Sequence, residues 1–347
     1  MRKIFLFVVF AAALILETGT GSLFAQRGGR SQSEIIEVKV ASPLPKESPW
    51  GRTLDRIVAE WSRVTNGQVR PRVLHGGTEG GEGKMHLSLA SNTIQAAVFT
   101  SFGLSAISPA IMTMSAPFFI RTDEELAAVM RDVQNDLEER LNSGDYFILA
   151  WSKAGFVNIF SKDPVFVPDD LRKQKIASNA EAAEMNTAFK TMGFQVVDTD
   201  WTDVGPKLAT GAIMAIYQNP AGVAAYQLHS YMKNMLSVNI APILGGLVIN
   251  QVTWKKIGNL NPRYQSDILR ASRQITEGFD GSMQKTINDA IASMSREGLK
   301  VNRPSTAQEQ IWFSDVERVI PTLLGTTYDR VLYQKISDAL IKYRAGR

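Results

Sequence analysis

Among the 347 residues there is no cysteine, and only three are histidine. The missing thiols exclude disulfides, thiol catalysis, thiolate metal sites and lipid attachment through a lipobox. His75, His86 and His229 form no pair with metal-ligand spacing, and no cofactor is implied. There is no G-x-S-x-G elbow. The segment Gly76–His86 (GGTEGGEGKMH) is glycine-rich but is no Walker loop. Five residues separate Gly77 from Gly83 where four are needed, and Met85 follows Lys84 where Ser or Thr would hold magnesium. It reads as a turn before a helix. Charge of one sign is also lacking. With 38 basic against 34 acidic residues the net charge is +4, and the basic residues are scattered, not gathered into the stripe a nucleic-acid binder shows. The apolar run Ile4–Leu16 has 13 residues, too short for an ordinary membrane span.

That run does fit a secretory signal. Arg2 and Lys3 supply the charged start, and Ser22-Leu23-Phe24-Ala25 supplies a cleavage region weakened by the large Leu23. Cleavage after Ala25 is expected, with an uncleaved N-terminal anchor as the alternative. Residues 1–26 are therefore read as the signal peptide and 27–34 as a flexible N-terminal segment. The protein is expected in the periplasm.

The body alternates strands and helices. Ile36, Val38 and Val40 alternate with Glu37 and Lys39 as in a strand. Pro49–Val64 reads as a helix with Trp50, Leu54, Ile57, Val58 and Trp61 on one face, and Val69 and Val73 lie on the next strand. Ile94–Thr100 is a strand ending in the loop Ser101-Phe102-Gly103. Pro109–Phe119 is an apolar loop over the core, Asp123–Leu141 a charged helix, and Tyr146–Trp151 a strand that Asn158–Ser161 carries onward.

Between Val167 and Pro220 the rhythm becomes strand–helix–strand–helix–strand. Lys175 and Ile176 lead the first strand. Ser178 or Asn179 caps a helix over Ala180–Met192, ended by Gly193. Phe194, Val196 and Val197 form a short buried strand, a helix runs from Thr202 to Gly211, and Ala212–Tyr217 is apolar and extended. This rhythm predicts a parallel sheet, with ligands at the carboxyl ends of its strands. Those ends carry Ser178, Asn179, Trp201, Gln218 and Asn219. After Pro220 an amphipathic helix is expected through Tyr231. Gly245–Asn250 reads as a strand, Arg263–Glu297 as one long helix, and Thr306 to the end as two helices split near Pro321.

The ordered set PDDL-x3-KI (Pro168–Ile176), MGFQVV (Met192–Val197), TGAI (Thr210–Ile213) and Asn219-Pro220 resembles the solute receptors of tripartite ATP-independent periplasmic (TRAP) transporters, the DctP-type family. The likeness runs from about Ile36 to the C-terminus. It implies a two-lobed α/β periplasmic-binding-protein fold with a hinge, crossing strands and one long helix spanning both lobes. Lobe I would be 35–156 plus 246–285, and lobe II 157–245 plus 286–347. It implies a receptor, not an enzyme, that hands its ligand to TRAP membrane permease subunits, in some systems with a helical-repeat periplasmic partner.

Loop positions at the strand ends and the resemblance together point to a cleft site: Trp50, Ser101, Phe102, Val157, Ala177, Asn179, Trp201, Tyr217 and Asn219. Members that bind organic acids place an arginine after the Lys-Ile pair, and this chain has Ala177. Where some carry a further arginine it has Phe156, Val157 and Asn158, and where an acidic residue follows Gly211 it has Met214 and Ala215. A carboxylate buried without a guanidinium is costly to desolvate. The expected ligand is therefore hydrophobic or amphipathic. The alternatives are an organic acid held by another cation, such as Lys153 or Lys84, an exported two-lobed enzyme, or a stand-alone carrier.

Overall fold

Ile36, Val38 and Val40 are buried in the first strand while Glu37 and Lys39 are exposed, so the period of two sets which face meets the core. The computed structural model describes residues 34–142, 144–178, 183–200 and 203–346; the expected signal peptide, the tether up to Ser33, Asn179 and Trp201 lie outside the described residues. Strands are β1 (Ile36–Ala41), β2 (Val69–Leu74), β3 (Ala96–Thr100), β4 (Tyr146–Ser161), β5 (Lys175–Ser178), β6 (Gln195–Asp198), β7 (Ala215–Gln218), β8 (Asn234–Leu236), β9 (Ala241–Asn250) and β10 (Lys300–Asn302). Helices are α1 (Pro49–Val64), α2 (Glu82–Ala90), α3 (Ser101–Ile107), α4 (Asp123–Asn142), α5 (Pro168–Arg172), α6 (Ala183–Thr191), α7 (Val204–Thr210), α8 (Pro220–Ala225), α9 (Gln251–Leu260), α10 (Pro262–Arg296), α11 (Thr306–Leu323) and α12 (Arg330–Ala345).

The strands run in the order β2-β1-β3-β9-β4-β7-β5-β6, with β8 beside the end of β4 and β10 beside β8. In the first half β1 is parallel to β2 and β3. In the second, β5 is parallel to β6 and β7, as the strand–helix rhythm predicts. Two long antiparallel strands join the halves. β4 pairs with β9 from Tyr146 to Val157, then passes to β7 from Asn158 to Ser161. The ladder is irregular between Lys153 and Phe156, where Gly155 holds a φ of +84°. Glycine adopts that conformation without the steric cost a side chain would bring.

Helices cover both faces. α4 and α12 pack on one face of the first half, and α1, α9 and the start of α10 on the other. In the second half α6 and α11 cover one face and α7 and α8 the other. The 35-residue α10 follows the expected long helix almost residue for residue and packs against α1, β4 and α8. Polar groups fix its angle: Trp61 Nε1 donates to Ser272 Oγ at 2.8 Å, and Asp280 accepts from Ser152 Oγ at 2.9 Å and Lys153 N at 3.0 Å.

Several local expectations differ from the structure. Ser101 and Phe102 open helix α3 instead of a loop, because Thr100 caps it with its side chain. Val196 and Val197 are only half-buried, because β6 is an edge strand. Trp151 sits in mid-strand, since β4 continues to Ser161. The helix after Pro220 stops at Ala225; Gln227 turns left-handed (φ 54°) and leaves Tyr226 and Tyr231 exposed. Pro321 lies inside α11, and the break comes after Leu323. The glycine-rich stretch is a turn ahead of α2.

Candidate functional site

Two adjoining cavities open where the halves of the sheet meet. The first, of about 330 Å³, is walled by the carboxyl ends of β3, β5 and β7, by Val157 of β4 and by the start of β9. It gathers five expected residues: Ser101, Phe102, Val157, Ala177 and Tyr217. The second, of about 470 Å³, lies toward α1 and α10 and takes in two more, Trp50 and Asn219. Thr100, Gln218 and Ile243 line both. Strand ends converge here because β5 and β7 run opposite to β3, through the antiparallel steps at β9 and β4, so the carboxyl ends of the two parallel sets face each other across the junction.

Among the described residues, no charged side chain lines the first cavity. Ala177 and Ile216 are neighbours on β5 and β7 and belong to one apolar cluster with Phe160 and Val204. The hydroxyls in the wall are mostly engaged inside the protein. Ser101 Oγ donates to the Leu244 carbonyl, Ser115 Oγ to Ser101 Oγ, and Thr199 Oγ1 to the Val197 carbonyl. Ser178 Oγ and Tyr217 OH lie 2.8 Å apart, and the Tyr217 ring meets Phe189 edge-on. Burial pushes the Tyr217 phenol up to about 12, the Ser178 contact offsetting only part, so it is neutral at physiological pH.

Glu82 is the charged residue of the second cavity. Its Oε2 accepts from Thr100 N and Oγ1 at 3.0 Å each and from Gly103 N at 2.8 Å. Glu82 thus ties α2 to the β3–α3 junction. Gly103 must lack a side chain, because a Cβ there would lie 2.3 Å from that oxygen. Trp50 faces Phe279 of α10 with ring centroids 6.0 Å apart.

Asn219 is placed at the site, but its polar atoms serve the backbone. Oδ1 caps α8 by accepting from Ala221 N, and Nδ2 donates to the Ala154 and Phe156 carbonyls. It positions the junction of β7, α8 and the β4 irregularity. Asn179 and Trp201 lie outside the described residues. Sequence reading omitted Gln218 from the site, although the strand-end rule had flagged it. It also omitted Thr199 and Val204, for which no motif signal exists. Of the substitute cations, Lys153 and Lys84 line neither cavity. A different one stands behind the wall: Lys207 Nζ donates to the Asp198 carbonyl at 3.1 Å and to Thr199 Oγ1 at 3.4 Å. Among the described residues no three metal-ligating side chains come together, and no helix is long and apolar enough to cross a membrane.

The family model described as bacterial extracellular solute-binding protein, family 7 (DctP), matches residues 40–324. No curated protein matches the sequence. Among solved structures, a TRAP periplasmic solute-binding protein from Ochrobactrum anthropi, with its C-terminus bound in its ligand-binding pocket, is similar with a TM-score of 0.81. The two are 18% identical, over 91% of this chain and 98% of that one. A TRAP periplasmic solute-binding protein from Ralstonia eutropha, with bound (S)-2-acetolactate, has a TM-score of 0.79 at 19% identity, over 88% of this chain and 99% of that one. One from Chromohalobacter salexigens, with bound D-glucuronate, has a TM-score of 0.78 at 17% identity, over 88% and 99%. The fold is thus the two-lobed α/β binding-protein fold, with the crossing strands and long helix expected from the resemblance.

Proposed function

Because the chain belongs to bacterial extracellular solute-binding protein family 7, we propose that it is an exported receptor that captures a hydrophobic or amphipathic solute and delivers it to a TRAP-type membrane permease. The observation that carries the ligand class is the uncharged wall of the first cavity, with Ala177 at the position where an arginine would clamp a carboxylate. A buried carboxylate needs charge-assisted donors, and an apolar body needs none. Closure of the two halves about β4 and β9 would remove that body from water and hold it by buried apolar area. Ion-gradient energy at the permease, not chemistry at this chain, would drive uptake. A helical-repeat periplasmic partner would suit a solute that must be sheltered from water.

The test is mass spectrometry of organic extracts from natively purified protein, against a denatured and refolded control. A specific apolar molecule in the native extract alone supports the reading. The same extract from both samples, together with a salt-sensitive micromolar affinity for a small dicarboxylate, overturns it.

One observation favours a second reading, an organic-acid receptor. Lys207 reaches Thr199 of the cavity wall, and two of the similar structures above hold organic acids. If Lys207 swings inward, it replaces the missing arginine, and Lys207→Met then abolishes carboxylate binding.

A further inference from the structure

We infer that the two cavities are one ligand tract and that Gln218, at their junction, is the hydrogen-bond donor that selects the ligand. This deepens the apolar-solute reading and rests on it. Gln218 lines both cavities, together with Thr100 and Ile243. Its Oε1 is held by Asn219 N at 2.7 Å. Its aliphatic part lies over α8 beside Gly222, close enough that a Cβ at 222 would be in ordinary contact, 3.5 Å from Gln218 Cγ and Cδ. The side chain is therefore fixed at one amide atom. Among the described residues no hydrogen bond engages the other, Nε2.

The other polar groups along the tract differ from it. Ser101, Ser115, Thr199 and Thr100 all donate within the protein, and Ser178 and Tyr217 pair with each other. An oriented, unengaged N–H donor in an apolar passage asks for one acceptor oxygen. Among the described residues, the wall around it holds no cation to balance a carboxylate, and the Glu82 carboxylate in the second cavity opposes any anion that extends there. The matching ligand is elongated and uncharged: an apolar chain bearing a ketone, ester or hydroxyl oxygen part-way along, with apolar portions in both cavities.

The experiment measures affinity by titration calorimetry, supported by thermal shift, for 2-tridecanone, 2-heptanone, dodecane and dodecanoate. Wild type is compared with Gln218→Leu, which keeps the volume, with Ala154→Phe, which narrows the second cavity, and with Lys207→Met. The long ketone should bind wild type at least ten-fold more tightly than the short ketone or dodecanoate. Gln218→Leu should weaken the ketone about five- to ten-fold, the size of one neutral hydrogen bond, and leave dodecane unchanged. Ala154→Phe should penalise the long ketone and spare the short one. All three variants must retain wild-type circular dichroism.

If dodecane binds as tightly as the long ketone and Gln218→Leu changes neither, the role of Gln218 is wrong while the apolar-solute reading stands. If chain length and Ala154→Phe have no effect, the single tract is wrong. If dodecanoate binds best and Lys207→Met removes that preference, the apolar-solute reading itself fails.

Discussion

Replacing Ala177 by arginine puts a guanidinium into the uncharged wall that defines the proposed ligand class. Ala177 is 6% exposed, on β5 between β6 and β7, and its apolar neighbours Val204 and Ile216 offer no counter-charge. An unpaired buried ion costs several kcal/mol. The opening toward the second cavity lets water reach part of the new side chain, so a loss of about 2–4 kcal/mol is expected. At about 2 °C per kcal/mol for a chain of this size, Tm should fall by roughly 4–8 °C.

The same charge should create carboxylate affinity, because a guanidinium fork pairs with a carboxylate through two charge-assisted hydrogen bonds. Succinate at a hundred times its Kd would return about 2.7 kcal/mol, or roughly 5 °C of Tm. The assay is differential scanning fluorimetry of wild type and Ala177→Arg over a succinate series, with Ala177→Met as a control for bulk. Wild type should not respond, the Met variant should not respond, and the Arg variant should recover. A wild type stabilised by succinate as strongly as the variant would refute the reasoning, since the wall would then already contain a working cation.

Three further outcomes follow from the geometry. Glu82→Ala strands the Thr100 and Gly103 amides and should cost about 2–4 kcal/mol in urea unfolding; a loss under about 0.5 kcal/mol would mean that water replaces the carboxylate without penalty. Gly155→Ala adds a Cβ that would lie 2.3 Å from Ile287 Cδ1, at a φ of +84°. It should destabilise the β4–α10 contact by about 1–3 kcal/mol and alter ligand off-rates, whereas unchanged stability and kinetics would show that this point of β4 does not bend. Burial raises the Asp280 carboxyl to about 6, against the Lys153 and Ser152 contacts that lower it, with Glu277 adding repulsion. A folded value above the unfolded one means that the stabilisation is full below about pH 4 and is lost as pH rises through about 6. The group is half-buried, so roughly 1–2 kcal/mol is expected after screening. Asp280→Asn should flatten the stability profile between those pH values, and an unchanged slope would assign it to other groups.

Much of the architecture is legible in the chain because local patterns carry it. The period of two in β1, the one-sided apolar face of α1, the unbroken helical spacing of α10 and Gly211 ending α7 at a φ of 77° are each set within a few residues. Ala177 was also readable as a departure, since it stands beside an otherwise ordered motif. What the chain did not disclose depends on partners far away in sequence. Edge exposure of β6 follows from its place at the end of the strand order, and Trp151 lies in mid-strand because β9 supplies a partner along that length. The apolar face of α12 packs against α4 in the first half, although its position in the chain follows α11 of the second. The spending of Asn219 on backbone carbonyls from residues 154 and 156 arises only when β4, β7 and α8 meet. Hydrogen bonds are short-ranged and directional, so whether a side-chain amide at a strand end is consumed by the backbone is decided by tertiary contact, whereas periodicity and turn chemistry are already complete in the sequence.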